Sequence, residues 1–245
     1  MLVRWILRLA AASAGAAAFL FLSNPAPAQA IAVDVELVLA VDVSASIDRS
    51  EIDLQRAGYL SALTQPDVIA AMLSGPLGRI ALTFVEWSKT QRSTIDWVII
   101  DSPDAARAFA AALAAQPYPP GDLTSIIGAI DYSIARIEDN AIAGTRRVID
   151  LSADGRDWTG DDSLVAAARQ RALDRGIVIN GLAISPQLER FVVEDASKYD
   201  LGGYLHTYVV GGPGSFSVVV EAPADFSQAI AKKLILEIAG LPAQR

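Results

Sequence analysis

From Val33 to Val41 the chain reads V-D-V-E-L-V-L-A-V, alternating at first and then almost wholly apolar, as in a strand buried on both faces. Ser50 opens a helical pattern with Glu51 and Asp53 in its first turn and Ile52, Tyr59, Leu60 and Leu63 as an apolar stripe. Arg79 to Trp87 is a second β-rich run. Ser93 to Ile100 is a third, too close behind for an intervening helix, which predicts an antiparallel edge strand. Pro103 begins an alanine-rich helix to about Ala115. After the rigid loop Pro117–Gly121, Thr124 or Ser125 starts a helix through Ile130, Ile134 and Ile137. Arg146 to Ser152 is a strand. Asp161 and Asp162 lead a helix that ends at Gly176, and Ile177 to Ile184 is the next strand. A short helix is expected near 186–197, a last strand at Tyr204–Val210, a flexible break at Gly211–Gly214, and a final helix from Pro223 with Phe226, Ile230, Leu234 and Ile238 on one face.

Alternating strands and helices predict an α/β fold: three layers, α/β/α, doubly wound around a mostly parallel sheet with one antiparallel edge strand. Residues 31–245 read as one domain. Residues 1–30 stand apart. They hold Arg4 and Arg8 and no acid, then an apolar run from Leu9 to Leu22, two prolines and the small-residue site Ala28-Gln29-Ala30. That order is a secretory signal peptide. The apolar run falls short of the roughly 20 residues that span a bilayer, which disfavours an uncut anchor. Cleavage after Ala30 and a periplasmic or secreted protein are expected.

Composition narrows the chemistry. With 52% hydrophobic and 20% charged residues the chain is not disordered. The absence of cysteine removes disulfides, zinc–thiolate sites and thiol catalysis, and a single histidine leaves no multi-histidine metal site. A formal charge of -8 argues against a nucleic-acid partner, whose phosphates need clustered Lys and Arg. Hard oxygen donors remain.

Three loops supply them. Asp42-Val43-Ser44-Ala45-Ser46 follows the first strand, so an extended turn can aim a carboxylate and two hydroxyls at one point, donors suited to Mg²⁺, Mn²⁺ or Ca²⁺. Helix capping is the plainer role for those serines. Gly121-Asp122-Leu123-Thr124-Ser125 adds a hydroxyl at a helix start, where an N-cap would do the same. Ser152-Ala153-Asp154-Gly155 places Asp154 at a strand's carboxyl end, with Gly155 expected to permit a sharp turn. In open sheets of this class ligands bind beyond the carboxyl ends of the strands, where strand order reverses.

In order and placement these fragments resemble the von Willebrand factor type A (VWA) domain, whose metal-ion-dependent adhesion site (MIDAS) is D-x-S-x-S, then a Thr, then an Asp. The resemblance runs from about Val33 to Gly240 and is strongest to a bacterial branch of exported VWA-like proteins of uncharacterised function, in which V-D-V-S-x-S-I, V-E-W and T-S-I-x-G-A-I are typical. It implies a divalent cation, Mg²⁺ foremost, held directly by Ser44 and Ser46, directly or through water by Thr124, and mainly through waters by Asp42 and Asp154. It further implies a non-enzymatic module binding a carboxylate on a protein partner. A Mg²⁺-dependent hydrolase in the same pocket, with Asp122 or Asp157 as base, and a metal-free scaffold are the alternatives. The loop departs from the usual pattern by reading G-D-L-T, so that Asp122 is placed to crowd the ion or to cap the helix.

Other residues read more plainly. His206 lacks the G-x-S-x-G elbow of a hydrolase triad. Gly211–Ser215 lacks the Lys-Ser/Thr of a phosphate loop. Asp157, Asp161 and Asp162 read as a solvated helix start, and Arg146 and Arg147 as a solvated strand start. Glu86, Trp87, Trp97 and Trp158 divide between rim and core.

Overall fold

A computed structural model describes residues 29–45, 49–118, 121–184, 200–220 and 225–240. The signal-peptide reading at 1–28, Ser46, and the helix expected near 186–197 lie outside the described residues. Six strands form one sheet in the order β3-β2-β1-β4-β5-β6. They are β1 Ile31–Asp42, β2 Ile80–Trp87, β3 Gln91–Ile100, β4 Ile142–Ala153, β5 Ile177–Ile184 and β6 Ser217–Val220. All neighbours pair parallel except β2 and β3, so the predicted antiparallel edge strand is present. The helices are α1 Arg49–Thr64, α2 Pro66–Met72, α3 Pro103–Ala114, α4 Ile126–Glu138, α5 Asp162–Leu173, α6 Leu201–Tyr204 and α7 Phe226–Ala239.

The layers follow from side-chain alternation in the strands. Val35, Leu37 and Leu39 of β1 face one way and pack with Tyr59, Leu63, Phe109, Phe226, Ile230 and Leu234 of α1, α3 and α7. Val38 and Ala40 face the other way and meet Ile126, Ile130, Val165 and Leu205 from α4, α5 and the segment after α6. Burial on both faces explains the near-continuous apolar run in β1.

Two expectations are corrected. Tyr204–Val210 is not a strand. Asp200 caps Gly203 N–H at 2.7 Å, α6 starts, and Leu205–Val209 continues as a π-helical turn closed by Val210 N–H to Leu205 C=O at 2.8 Å. Tyr204, Leu205 and Val209 are buried, a helical spacing inside a run rich in β-formers. The last strand is instead Ser217–Val220, beyond the glycine-rich stretch, where the edge of β5 accepts it. Arg146 is also not a solvated side chain. It donates to the carbonyls of Glu237 at 2.6 Å and Ile238 at 3.0 Å, capping the C-terminal end of α7 with positive charge.

A buried ionic cluster crosses the apolar layer at the same place. Lys233 of α7 contacts Asp150 of β4 at 2.5 Å and also pairs with Glu237 one turn on, and all three side chains are at most 1% exposed. Burial, then the Asp150 charge, push the Glu237 carboxyl up to about 8, which the Lys233 ammonium only partly opposes.

Candidate functional site

The chain runs outward from β1 through β2 to β3, and then returns to β4 on the other side of β1 before running out through β5 and β6. Strand order therefore reverses between β1 and β4. The loops leaving these two strands flank the crevice where this class of sheet binds ligands. Val41 stands in register with Ser152, so Asp42 and Asp154 leave adjacent strands at the same end.

Asp42 and Ser44 are each 1% exposed. The Asp42 Oδ1 accepts the Ser44 N–H at 2.8 Å, a carboxylate closing its own turn two residues on, and Asp42 Oδ2 accepts the Asp154 N–H at 3.4 Å. The Asp42 N–H donates to Ser152 Oγ at 3.4 Å. The Thr124 hydroxyl donates to Ser44 Oγ at 3.1 Å. Asp42, Ser44, Thr124 and the Asp154 backbone, spread over more than a hundred positions, thus meet at one end of the sheet.

The threonine loop is held at two points. Ala45 N–H donates to the Asp122 carbonyl at 2.8 Å, and Trp158 N–H to the Thr124 carbonyl at 2.8 Å. Gly121 is required by close approach, since a Cβ there would stand 1.8 Å from the Val43 carbonyl oxygen. The helix cap is neither Thr124 nor Asp122. Ser125 Oγ accepts the Gly128 N–H at 3.3 Å and caps α4, leaving the Thr124 hydroxyl toward Ser44 and the Asp122 side chain exposed. Gly155 is not needed for a left-handed turn, because its φ is not positive and a Cβ there would only touch Thr124 Oγ1 at 3.7 Å.

Asp157 corrects the solvated reading. It is 5% exposed, accepts the Ile127 N–H at 3.1 Å in the first turn of α4, and accepts the Thr159 N–H at 3.0 Å and hydroxyl at 2.7 Å. It fastens the Asp154 loop to α4, the helix that follows Thr124. Asp161 does start its helix, accepting the Ser163 N–H at 3.0 Å.

The remaining sequence candidates divide. Trp87 is core, and His206 is exposed on the π-helical turn. Trp97 donates to the Arg136 carbonyl at 3.0 Å. Glu86 is buried between Arg56 at 2.5 Å and Arg92 at 2.7 Å, an ionic clasp of α1 to the sheet for which the linear pattern held no signal. Beside it Gln55 is 4% exposed with neither amide atom partnered.

The donor set suits a small hard cation. Burial, then the facing Asp154 carboxylate, push the Asp42 carboxyl well above the usual range, against hydrogen bonds from Ser44 and Asp154 that pull it down. A divalent ion offsets that repulsion. Two ligands side by side on octahedral Mg²⁺, with bonds of about 2.1 Å, stand about 3 Å apart. The two hydroxyl oxygens are 3.1 Å apart. Among the described residues no three His, Cys, Asp or Glu side chains converge as a ligand cluster. Ser46, the further hydroxyl of the motif, lies outside the described residues.

Residues 32–242 match the family described as Protein of unknown function (DUF1194). No curated protein matches the chain. Several solved structures share the architecture. A von Willebrand factor type A protein from Catenulispora acidiphila is 17% identical with a TM-score of 0.56, over 85% of this chain and 42% of its own. Proximal thread matrix protein 1 from the mussel byssus, in a structure with a zinc-occupied MIDAS motif, is 13% identical with a TM-score of 0.57, over 84% of this chain and 46% of its own. The vWF domain of the type V pili tip protein Mfa5 from Porphyromonas gingivalis is 11% identical with a TM-score of 0.55, over 88% and 99%. This chain spans less than half the length of the first two. At these identities the likeness is one of fold.

Proposed function

This chain belongs to the DUF1194 family and has the von Willebrand factor type A fold, and from that premise we propose that it is an exported binding module that joins a protein partner through a divalent ion. The ion, Mg²⁺ in the first instance and Mn²⁺ or Ca²⁺ as alternatives, is held by Asp42, Ser44, Ser46, Thr124 and Asp154. The observation that carries the reading is the meeting of Asp42, Ser44 and Thr124 with the backbone of Asp154 at the point where strand order reverses. The zinc-occupied MIDAS motif of the mussel protein and the pilus tip origin of the Porphyromonas domain agree with it.

The chemistry follows from the donors. Two carboxylates balance a divalent charge, while neutral hydroxyls next to the ion leave it electrophilic. Mg²⁺ uses few carboxylates and keeps exchangeable waters, so a carboxylate from the partner can replace one of them. Residues 1–30 act as the export signal, cut after Ala30. Among the described residues no helix is long and apolar enough to cross a membrane.

Titration calorimetry of the purified protein with Mg²⁺ and Mn²⁺ is the test. Binding is expected in the wild type and lost in Asp42→Ala and Ser44→Ala. Saturating the site a hundredfold above its Kd raises stability by about 2.7 kcal/mol. A wild type that gives neither binding heat nor a stability gain at millimolar Mg²⁺ refutes the reading.

A further inference from the structure

The metal chemistry leaves the apolar surface around Thr124 without a role. Among the described residues six large hydrophobic side chains are exposed: Ile31, Leu77, Leu123, Trp158, Leu164 and Val219. Ile31 opens β1 and Leu77 precedes β2 at the opposite end of the sheet, and Val219 lies on an edge strand. The other three gather at the carboxyl end, where Leu123 immediately precedes Thr124, Trp158 follows the Asp154 turn, and Leu164 sits in the first turn of α5.

Trp158 is 53% exposed and yet its backbone is fixed. Its N–H holds the Thr124 carbonyl at 2.8 Å, and its neighbour Asp157 is buried under the hydrogen bonds from Ile127 and Thr159. Leu123, 42% exposed, precedes the residue whose carbonyl Trp158 grips, so two exposed apolar residues are tied to Thr124 through the backbone. A large aromatic on a fixed backbone has only its own two side-chain torsions to lose on binding, and tryptophan is among the residues that carry interface energy. The surrounding charge selects further. Asp122 and Asp161 are exposed here and Asp162 is partly so. These acids outnumber Arg156, the exposed cation between Asp154 and Trp158, so a second carboxylate on the partner gains less here than an apolar side chain.

We propose that Leu123 and Trp158 form an apolar docking surface beside the ion, and that the partner it fits is a protein segment carrying one carboxylate next to a large apolar side chain. This rests on the metal-bridging reading. The carboxylate completes the ion's coordination, and the apolar neighbour covers the indole and removes it from water.

Three probes separate the outcomes: N-acetyl-Asp-Phe-amide, N-acetyl-Asp-Gly-amide and N-acetyl-Asp-Asp-amide, titrated by NMR in saturating Mg²⁺. The Asp-Phe probe is expected to bind about tenfold tighter than Asp-Gly, and Trp158→Ala to remove that advantage. Alanine keeps the backbone N–H, so the bond to Thr124 survives the substitution. Equal affinity for Asp-Phe and Asp-Gly, or tightest binding of Asp-Asp, with Mg²⁺ still bound, overturns the docking surface and leaves the metal site standing. Failure of Mg²⁺ itself to bind, or of all three probes to bind in its presence, overturns the metal-bridging reading and the docking surface with it.

Discussion

Replacing Lys233 by methionine isolates the energetics of the buried ionic cluster. Methionine keeps the length of the lysine stem and its packing, so the change removes a charge and little volume. Asp150, 1% exposed, is then left without the ammonium that contacts it at 2.5 Å, so the variant buries an ionisable group that has lost its partner. Removal of one member of a buried ion pair costs roughly 3–5 kcal/mol. Against a domain stability of about 5–15 kcal/mol it is a large share. Urea denaturation of wild type and Lys233→Met, followed by circular dichroism at pH 7, measures it. A companion variant, Asp150→Leu with Lys233→Met and Glu237→Leu, removes all three ionisable side chains and is expected to recover most of the loss, since well-packed apolar groups replace buried ion pairs at little net cost. A Lys233→Met loss under about 1 kcal/mol at pH 7 refutes the reasoning.

Glu237 gives a second, signed prediction. Its folded carboxyl lies at about 8 and its unfolded one at 4.5, so its contribution is fully present below 4.5 and is lost as pH rises toward 8. The stability of the wild type relative to Glu237→Gln therefore falls between pH 5 and pH 8, by up to about 1.4 kcal/mol per pH unit, and parallel urea curves across that range sink the prediction. Gly121→Ala drives a Cβ into the Val43 carbonyl, which forces the threonine loop off the β1 turn. A stability loss of about 1–3 kcal/mol and a Mg²⁺ affinity lowered about tenfold are expected from such overpacking. Gly155→Ala, where a Cβ meets only ordinary contact, leaves stability near the wild-type value, and equal effects of the two substitutions contradict the geometry.

Much of the molecule was legible from local pattern because local physics sets it. The apolar run of β1, the Pro103 start of α3, the Asp161 cap and the Phe226, Ile230, Leu234, Ile238 stripe each report burial or capping within one element. Lys233 and Glu237 were missed although a signal existed. They fall seven residues after Phe226 and Ile230, on the buried stripe itself, and Asp150 alternates with buried Val148 and Ser152 on β4. A lysine and a glutamate four apart on a helix ordinarily face water. Tyr204–Val210 misled because its β-forming composition says nothing of which segment reaches the free edge of β5.

By itself, then, the sequence determined the strands, the helices, their alternation and the residue types able to hold a hard cation, since each depends on neighbours a few positions away. Only the tertiary structure decided that Thr124 lies against Ser44, that Asp157 clips the Asp154 loop to α4, and that Lys233 reaches Asp150. Those contacts join elements brought together by the reversal of strand order and by the packing of α7 onto the sheet, and distance along the chain carries no record of either.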